Sequence, residues 1–304
     1  ICMDHKKKAR RIVMRHTKHG LNKTDAKLMQ AISSIGTERN YAQALTNYLR
    51  WCDQNDVQPN LYSNCKVLRQ YLDERSEWIK QKTLDQERQA LQLVYRQKLP
   101  YVRSQQVTIL EKRSYTLAQV NLIASHQKER NSVTTLLSLH SGLRAHESAT
   151  ILPLEERPPS SHRNWDSRRF LGFPEHRLYT VIGKGGLIRE VAIPLWMSEK
   201  LESKRIPPKQ VIDRGIFYVM NYEIGFGQAW SQSFSDASKK ALGYSTGAHG
   251  LRHSFAKKRL YELIDAIELH DPKIAQDRIH EEALPILSQE LGHFRLDIVY
   301  CYLR

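Results

Sequence analysis

Cysteine is scarce in this chain: its 304 residues hold four, Cys2, Cys52, Cys65 and Cys301, and none forms a C-x-x-C pair. That spacing argues against a disulfide framework or a thiolate zinc site and fits a reducing cytoplasm. Long apolar runs are missing too, with no stretch of the 18 or more residues that a membrane-crossing helix needs. Near the start, Lys6-Lys7-Lys8 is followed by Ala9-Arg10-Arg11 instead of an apolar segment, so no signal peptide is read there. The first residue is Ile1, and a fragment or processed chain is expected. No internal repeat or low-complexity tract is present. Acidic residues are the last deficit: 32 Asp and Glu stand against 47 Lys and Arg, a net charge of +15. Such an excess selects a polyanion, because each neutralised phosphate releases condensed counterions. Nucleic acid is favoured over anionic lipid.

Residues 1–23 are basic without clear periodicity and are expected as an arm, or a frayed first helix, that could lie on a phosphate backbone. Thr24-Asp25 predicts a helix cap, with the helix passing Ala31 and Ile35 and stopping at Gly36. Tyr41, Ala44, Leu45, Tyr48, Leu49 and Cys52 then repeat at helical spacing from a start at Thr37-Glu38. Two more helices are read over about 63–79 and 84–99, so 24–99 is expected to be a four-helix bundle. Its exposed basic residues include Arg39, Arg50, Lys66 and Arg69. Pro100 opens a linker, 100–114, containing Arg103, Lys112 and Arg113. Within a second domain, 115–304, Thr116 can cap a helix. Residues 132–140 form a buried helix, and after Ser141-Gly142 the chain re-enters helix at Leu143-Arg144-Ala145-His146-Glu147. Residues 153–177 are expected as a long loop. Tyr179, Val181, Arg189, Val191 and Ile193 alternate around Gly183-Lys184-Gly185-Gly186, a hairpin signal. From Trp196 onward the chain reads mostly helical.

The second domain offers, in order, Arg144 with Glu147, Lys184, His249 with Arg252, His293, and Tyr302 nine positions later. The segments S-G-L-R-A-H-E (141–147), G-K-G-G (183–186), H-G-L-R-H-S-F-A (249–256) and L-G-H followed by Tyr at the ninth position resemble the tyrosine site-specific recombinases, the phage-integrase family. The segment 37–51 is similar to that family's N-terminal core-binding domain. The resemblance implies a mainly α chain with a small β-sheet, built as a helical core-binding domain followed by a mixed α/β catalytic domain. It implies site-specific cutting and rejoining of double-stranded DNA through a 3′-phosphotyrosine, for integration or excision of a mobile element, without metal, ATP or other cofactor. A homotetramer on two duplexes, accessory DNA-bending or directionality proteins, and a cytoplasmic, nucleoid-associated setting in a prokaryote or phage belong to the same expectation.

The chemistry needs these residue types. A phosphodiester gains negative charge in its transition state, and Arg144 and Arg252 can each offer forked hydrogen bonds to it. A phenol with a pKa of ~10 attacks well only where positive charge favours its phenolate. Lys184, desolvated beside two arginines, would protonate the leaving 5′-oxygen. His249 and His293 can donate to phosphate oxygens or shuttle the nucleophile's proton, and Glu147 would orient a guanidinium from one helical turn away. Each residue also has an ordinary use: Arg144–Glu147 as a surface pair, Lys184 as a turn residue, His249 as a cap, His293 after a C-cap. Tyr300 rivals Tyr302, and His146 and His253 read as packing or polar filler. The segment 257–290 is long for the family, and 267–280 is expected as an insertion with its own polar helix. The sequence ends at Arg304, where the family often carries a C-terminal tail that docks on a neighbouring subunit, so either a different subunit contact or a truncated chain is expected. Two other functions share these features: a type IB topoisomerase-like enzyme, and a non-catalytic DNA-binding factor of the same fold.

Overall fold

The basic start of the chain, without clear periodicity in its sequence, folds as a helix on a core rich in buried aromatic residues. The computed structural model describes residues 4–19, 21, 23–59, 65–106 and 112–303, with the side chains of 23, 184, 276 and 277 outside the described set. It divides into two compact units, Ile1–Leu110 and Glu111–Arg304.

The first unit contains α1 (His5–Met14), α2 (Lys23–Leu28), α3 (Ile35–Gln54), α4 (Cys65–Ser76) and α5 (Gln81–Tyr95). Residues 5–14 are therefore a helix and not an arm. Asp4 caps it by accepting from the Lys7 amide, and Ala9 and Val13, one turn apart, are buried in the unit's core. Lys6, Lys7, Arg10 and Arg11 remain exposed on it. The expected helix through Ile35 ends at Leu28 instead, and Ile35 opens α3. Ser34 decides this: its hydroxyl accepts from the Thr37 amide at 3.1 Å, which puts Gly36 inside the first turn of α3. The core gathers Tyr48, Trp51, Tyr71 and Tyr95, with Tyr48 edge-on to Tyr71 at 5.2 Å. Beside it the buried Glu87 accepts from Tyr71 at 2.8 Å and from Arg75 at 2.8 and 3.0 Å. Residues expected as linker, 100–106, are held to this unit: Val102 is buried, and Ser104 bonds the Ile79 carbonyl at 2.6 Å and Gln81 at 2.7 Å.

The second unit opens with α6 (Leu117–Ser125), closed by a reciprocal capping box between Thr116 and Gln119, and α7 (Glu129–Ser141). An antiparallel sheet follows, in the order β1 (Leu152–Pro153), β2 (His176–Ile182), β3 (Ile188–Pro194), with Val181 opposite Arg189. After α8 (Leu195–Glu202) the chain forms a second hairpin, β4 (Arg205–Asp213) and β5 (Ile216–Tyr222), where helix was expected. Its turn is Arg214-Gly215, both left-handed at φ 51° and 79°, the backbone of a type I′ turn. The unit ends with α9 (Gly227–Leu242), α10 (His249–His270), α11 (Gln276–Glu290) and α12 (Leu296–Leu303). The segment 267–280 has no separate helix of its own: residues up to His270 belong to α10 and those from Gln276 to α11. Ile267 in the last turn of α10 and Ile279 in α11 are both buried in the core that α10, α11 and α12 share. Among the described residues no helix is long and apolar enough to cross a membrane.

Candidate active site

Two chain reversals build the frame of the site. Gly142 ends α7 at φ 62°, where a Cβ would meet the Phe255 ring at 2.5 Å. Gly292, in the L-G-H turn that ends α11, holds φ 67°, where a Cβ would lie 2.6 Å from Cδ of Arg189. Both positions need glycine, and both leave a main-chain carbonyl facing inward. The Gly142 carbonyl accepts from Arg252 Nη1 and, at 3.4 Å, from Arg189 Nη2. The Leu291 carbonyl accepts from Arg252 Nη2 and, at 3.4 Å, from Arg144 Nη2. Arg252 and His249 lie three apart in the first turn of α10, on one face. Gly250 between them lets residues 113–115 cross that turn closely, and Tyr115 and Ser254 bond each other's backbone and hydroxyl at 2.7 and 2.8 Å.

Arg144 and Glu147 do not share an α-helix. The chain turns at 145–146, and Glu147 begins a 3-10 turn, 147–150. Their pairing is tighter for it: the carboxylate accepts from the Arg144 amide at 2.8 Å and its guanidinium at 2.6 Å. Glu147, 1% exposed, also accepts from Arg189 at 2.7 Å. Arg189, 1% exposed, was not singled out from the sequence. It sits on β3 in step with Val191 and Ile193, at a core-facing position, and donates to the Glu290 carbonyl at 2.6 Å. A charged residue in an apolar alternation was the available signal.

Tyr302 on α12 is buried, whereas Tyr300 is 48% exposed. The Tyr302 oxygen accepts from Arg252 Nε at 3.3 Å and lies 3.1 Å from His293 Nε2. That same Nε2 is 3.1 Å from Arg144 Nη2, which can only donate, so the contact requires an unprotonated Nε2, whose single lone pair is shared between the Arg144 N–H and the Tyr302 O–H. Rings of His249, His253 and His293 surround Tyr302 at 5.5, 4.9 and 5.5 Å. Thus Arg144, Glu147, Arg252, His293, His249 and Tyr302 are brought together. Lys184 lies in the 3-10 turn, 184–186, joining β2 and β3, and its side chain lies outside the described residues. His253 packs on Tyr302, and His146 bonds Asp213 at 2.7 Å.

The electrostatics follow from burial and from arginines outnumbering carboxylates. Burial, with Arg252 and Arg144 adding to it, pushes His293 down to about 3, and burial with Arg252 and His253 pushes His249 down to about 4. Both are neutral at pH 7. Burial pushes the Glu147 carboxyl up, but Arg189, Arg144 and Arg252 outweigh it and hold it well below the usual range. Burial and Arg144 push Arg252, 0% exposed, down to about 9, still a cation at neutral pH. Two guanidiniums therefore pair with one carboxylate and a third, Arg252, acts on it from further away, a cost that a bound anion would offset. Beside the site, Lys112 and Arg113 are exposed, Arg113 adds to the lowering of both His249 and His253, and Lys112 to that of Lys257. In the first unit Arg39, Arg50, Lys66, Arg69 and Arg103 are all exposed, with Arg69 paired to Asp73 at 3.5 Å. Among the described residues no cluster of His, Cys, Asp and Glu could hold a metal ion.

No protein-family model and no curated protein matches the chain. Solved structures do. The XerH site-specific recombinase bound to difH substrate, a pre-cleavage complex, superposes with a TM-score of 0.52 at 15% identity, covering 99% of this chain and 91% of that one. The post-cleavage complex of XerH with palindromic difH gives 0.53 at 16% identity, covering 99% and 90%. At such identities the likeness is one of fold: the chain has the two-domain, mainly helical fold of the tyrosine site-specific recombinases.

Proposed function

We propose that this chain cuts and rejoins double-stranded DNA at specific sites, with Tyr302 as the nucleophile. The observation that carries the reading is the Tyr302 oxygen held between Arg252 and His293, where guanidiniums outnumber carboxylates. Tyr302 attacks the scissile phosphorus, its proton passes to the neutral His293 Nε2, and a 3′-phosphotyrosyl bond forms as the bond to the 5′-oxygen breaks. Arg252 has five N–H donors, of which its bonds to Gly142, Leu291 and Tyr302 occupy three. The rest, with those of Arg144, stabilise the charge that develops on the non-bridging oxygens. Lys184, on the β2–β3 turn, gives the leaving oxygen its proton. His249 donates to the phosphate once the anion's charge raises its proton affinity. The 5′-hydroxyl of a partner duplex then reverses the attack, so the bond energy is conserved and no nucleotide is consumed. Four subunits on two duplexes would exchange strands, with Lys112, Arg113, Arg103, Arg39, Arg50, Lys66 and Arg69 binding phosphates.

The test is a denaturing gel of the chain with nicked duplexes selected from a random-sequence library for binding to it. A slow covalent band, present in Tyr300→Phe and absent in Tyr302→Phe, is expected. A band lost only in Tyr300→Phe would reassign the nucleophile. No band on any duplex the protein binds would leave a DNA-binding factor of this fold.

A further inference from the structure

The irregular segment 154–175, between β1 and β2, reaches two parts of the site at once. Ser160 brackets Ile188 at the start of β3: its amide donates to the Ile188 carbonyl and its hydroxyl accepts from the Ile188 amide, both at 3.0 Å. Five residues on, the Trp165 ring packs on Phe294 with centroids 4.9 Å apart. Phe294 directly follows His293 and holds φ at 54°, a conformation a bulky side chain rarely keeps without outside support. Arg163 covers the Phe294 ring at 5.1 Å, and Arg169 covers Trp165 at 4.5 Å while pairing with Glu190 on β3. Trp165 is fixed in turn by its Nε1 bond to the Ser160 carbonyl at 3.0 Å, and the Asp166 amide donates to Gln289 on α11 at 2.7 Å.

We propose that this segment splints the reaction centre: Trp165 positions His293 by holding Phe294 in its left-handed conformation, and Ser160 fixes the foot of the β2–β3 turn that carries Lys184. The inference rests on the reading of His293 and Tyr302 as reacting groups. The physical argument is direct. Deprived of its aromatic and cationic cover, Phe294 relaxes toward negative φ, which swings the peptide joining it to His293. His293 Nε2 then leaves its 3.1 Å contact with Tyr302. Displacement of a reacting group by about 1 Å costs on the order of 100-fold in rate.

Trp165→Ala is expected to lower the first-order rate of covalent-adduct formation about 10- to 100-fold. Duplex affinity should stay within about 2-fold, since no DNA contact is removed. Trp165→Phe, which keeps an aromatic face for Phe294, should recover most of the rate. Adding Phe294→Gly to Trp165→Ala should also recover it, because glycine holds φ 54° unsupported. An unchanged rate in Trp165→Ala, or loss of rate, affinity and folding together without rescue by either variant, overturns the proposal. A second readout does not depend on catalysis: the His293 imidazole, followed by NMR titration, should move up toward the free histidine value in Trp165→Ala. Were the unmodified chain to form no adduct, that titration still decides. A shifted His293 keeps the splint and sinks the catalytic reading, and an unshifted one sinks the splint.

Discussion

Glu147→Gln removes the carboxylate that pairs with two guanidiniums and leaves Arg189 buried against carbonyls and an amide. Removing one partner from a buried pair typically costs about 3–5 kcal/mol, because the remaining charge is neither solvated nor matched. For a unit of this size each kcal/mol lowers Tm by about 2–4 °C, so a drop of roughly 6–20 °C is expected in thermal unfolding followed by circular dichroism. Arg189→Met alone should cost less, since Glu147 keeps its bonds to Arg144 and the Gly142 carbonyl keeps Arg252, and the Glu290 carbonyl loses the guanidinium that meets it at 2.6 Å. The double variant removes both charges, and the two single costs should exceed the double by about 2 kcal/mol. The pH dependence has a definite sign. Glu147 titrates below its unfolded value, so its stabilisation is present above about pH 4.3 and is lost as pH falls further. The gap between the unmodified chain and Glu147→Gln should therefore close in acid. Glu147→Gln within about 0.5 kcal/mol of the unmodified chain at pH 7.5, or a strictly additive double variant, would refute the reasoning.

Other outcomes follow from the same contacts. His293 and His249 are held neutral down to about pH 3 and 4, so below about pH 6.5 the unfolded chain takes up protons that the native site refuses. Chemical unfolding at pH 7 and pH 5 should show stability falling with acid, His293 contributing at most about 1.4 kcal/mol per pH unit, and His293→Asn should flatten the slope. Gly250→Ala drives a methyl group against the Arg113 carbonyl and, at 2.5 Å, the Tyr115 ring, for a loss of about 1–3 kcal/mol, whereas Gly36→Ala meets nothing within 4 Å and should hold or raise Tm. Arg113→Ala should weaken duplex binding by a similar factor on every sequence and reduce the salt slope by about 0.9, as loss of one phosphate contact requires. A change confined to one sequence would mean that Arg113 reads bases.

The parts of the site that the sequence shows are those whose spacing is local. Arg252 lies three residues after His249 because one helical turn needs that interval, and Tyr302 follows His293 by nine because a turn and two helical turns intervene. Arg189 escaped notice because strand periodicity made it one of an alternating set, and only the fold shows that Glu147 lies opposite. The β4–β5 hairpin was equally hidden: its Arg214-Gly215 turn lacks an Asn or Asp, and its strands carry Pro207 and Pro208. The Arg144–Glu147 pair was read at the right spacing but in the wrong backbone, since Gly142 stops α7 and the carboxylate then caps the turn itself. The first helix was left open between an arm and a frayed helix for a different reason. The buried Ala9 and Val13 and the half-buried Ile12 dock α1, and among so many lysines and arginines their periodicity is hard to read.

Gly142 and Leu291 hold Arg252 and its neighbours through main-chain oxygens, atoms that every amino acid supplies. Anchors of this kind are immune to substitution so long as the backbone path is kept. The two glycines that bend the path, Gly142 and Gly292, therefore act on the guanidiniums from a distance: a side chain added at either would move the backbone oxygens and, with them, the aim of Arg252.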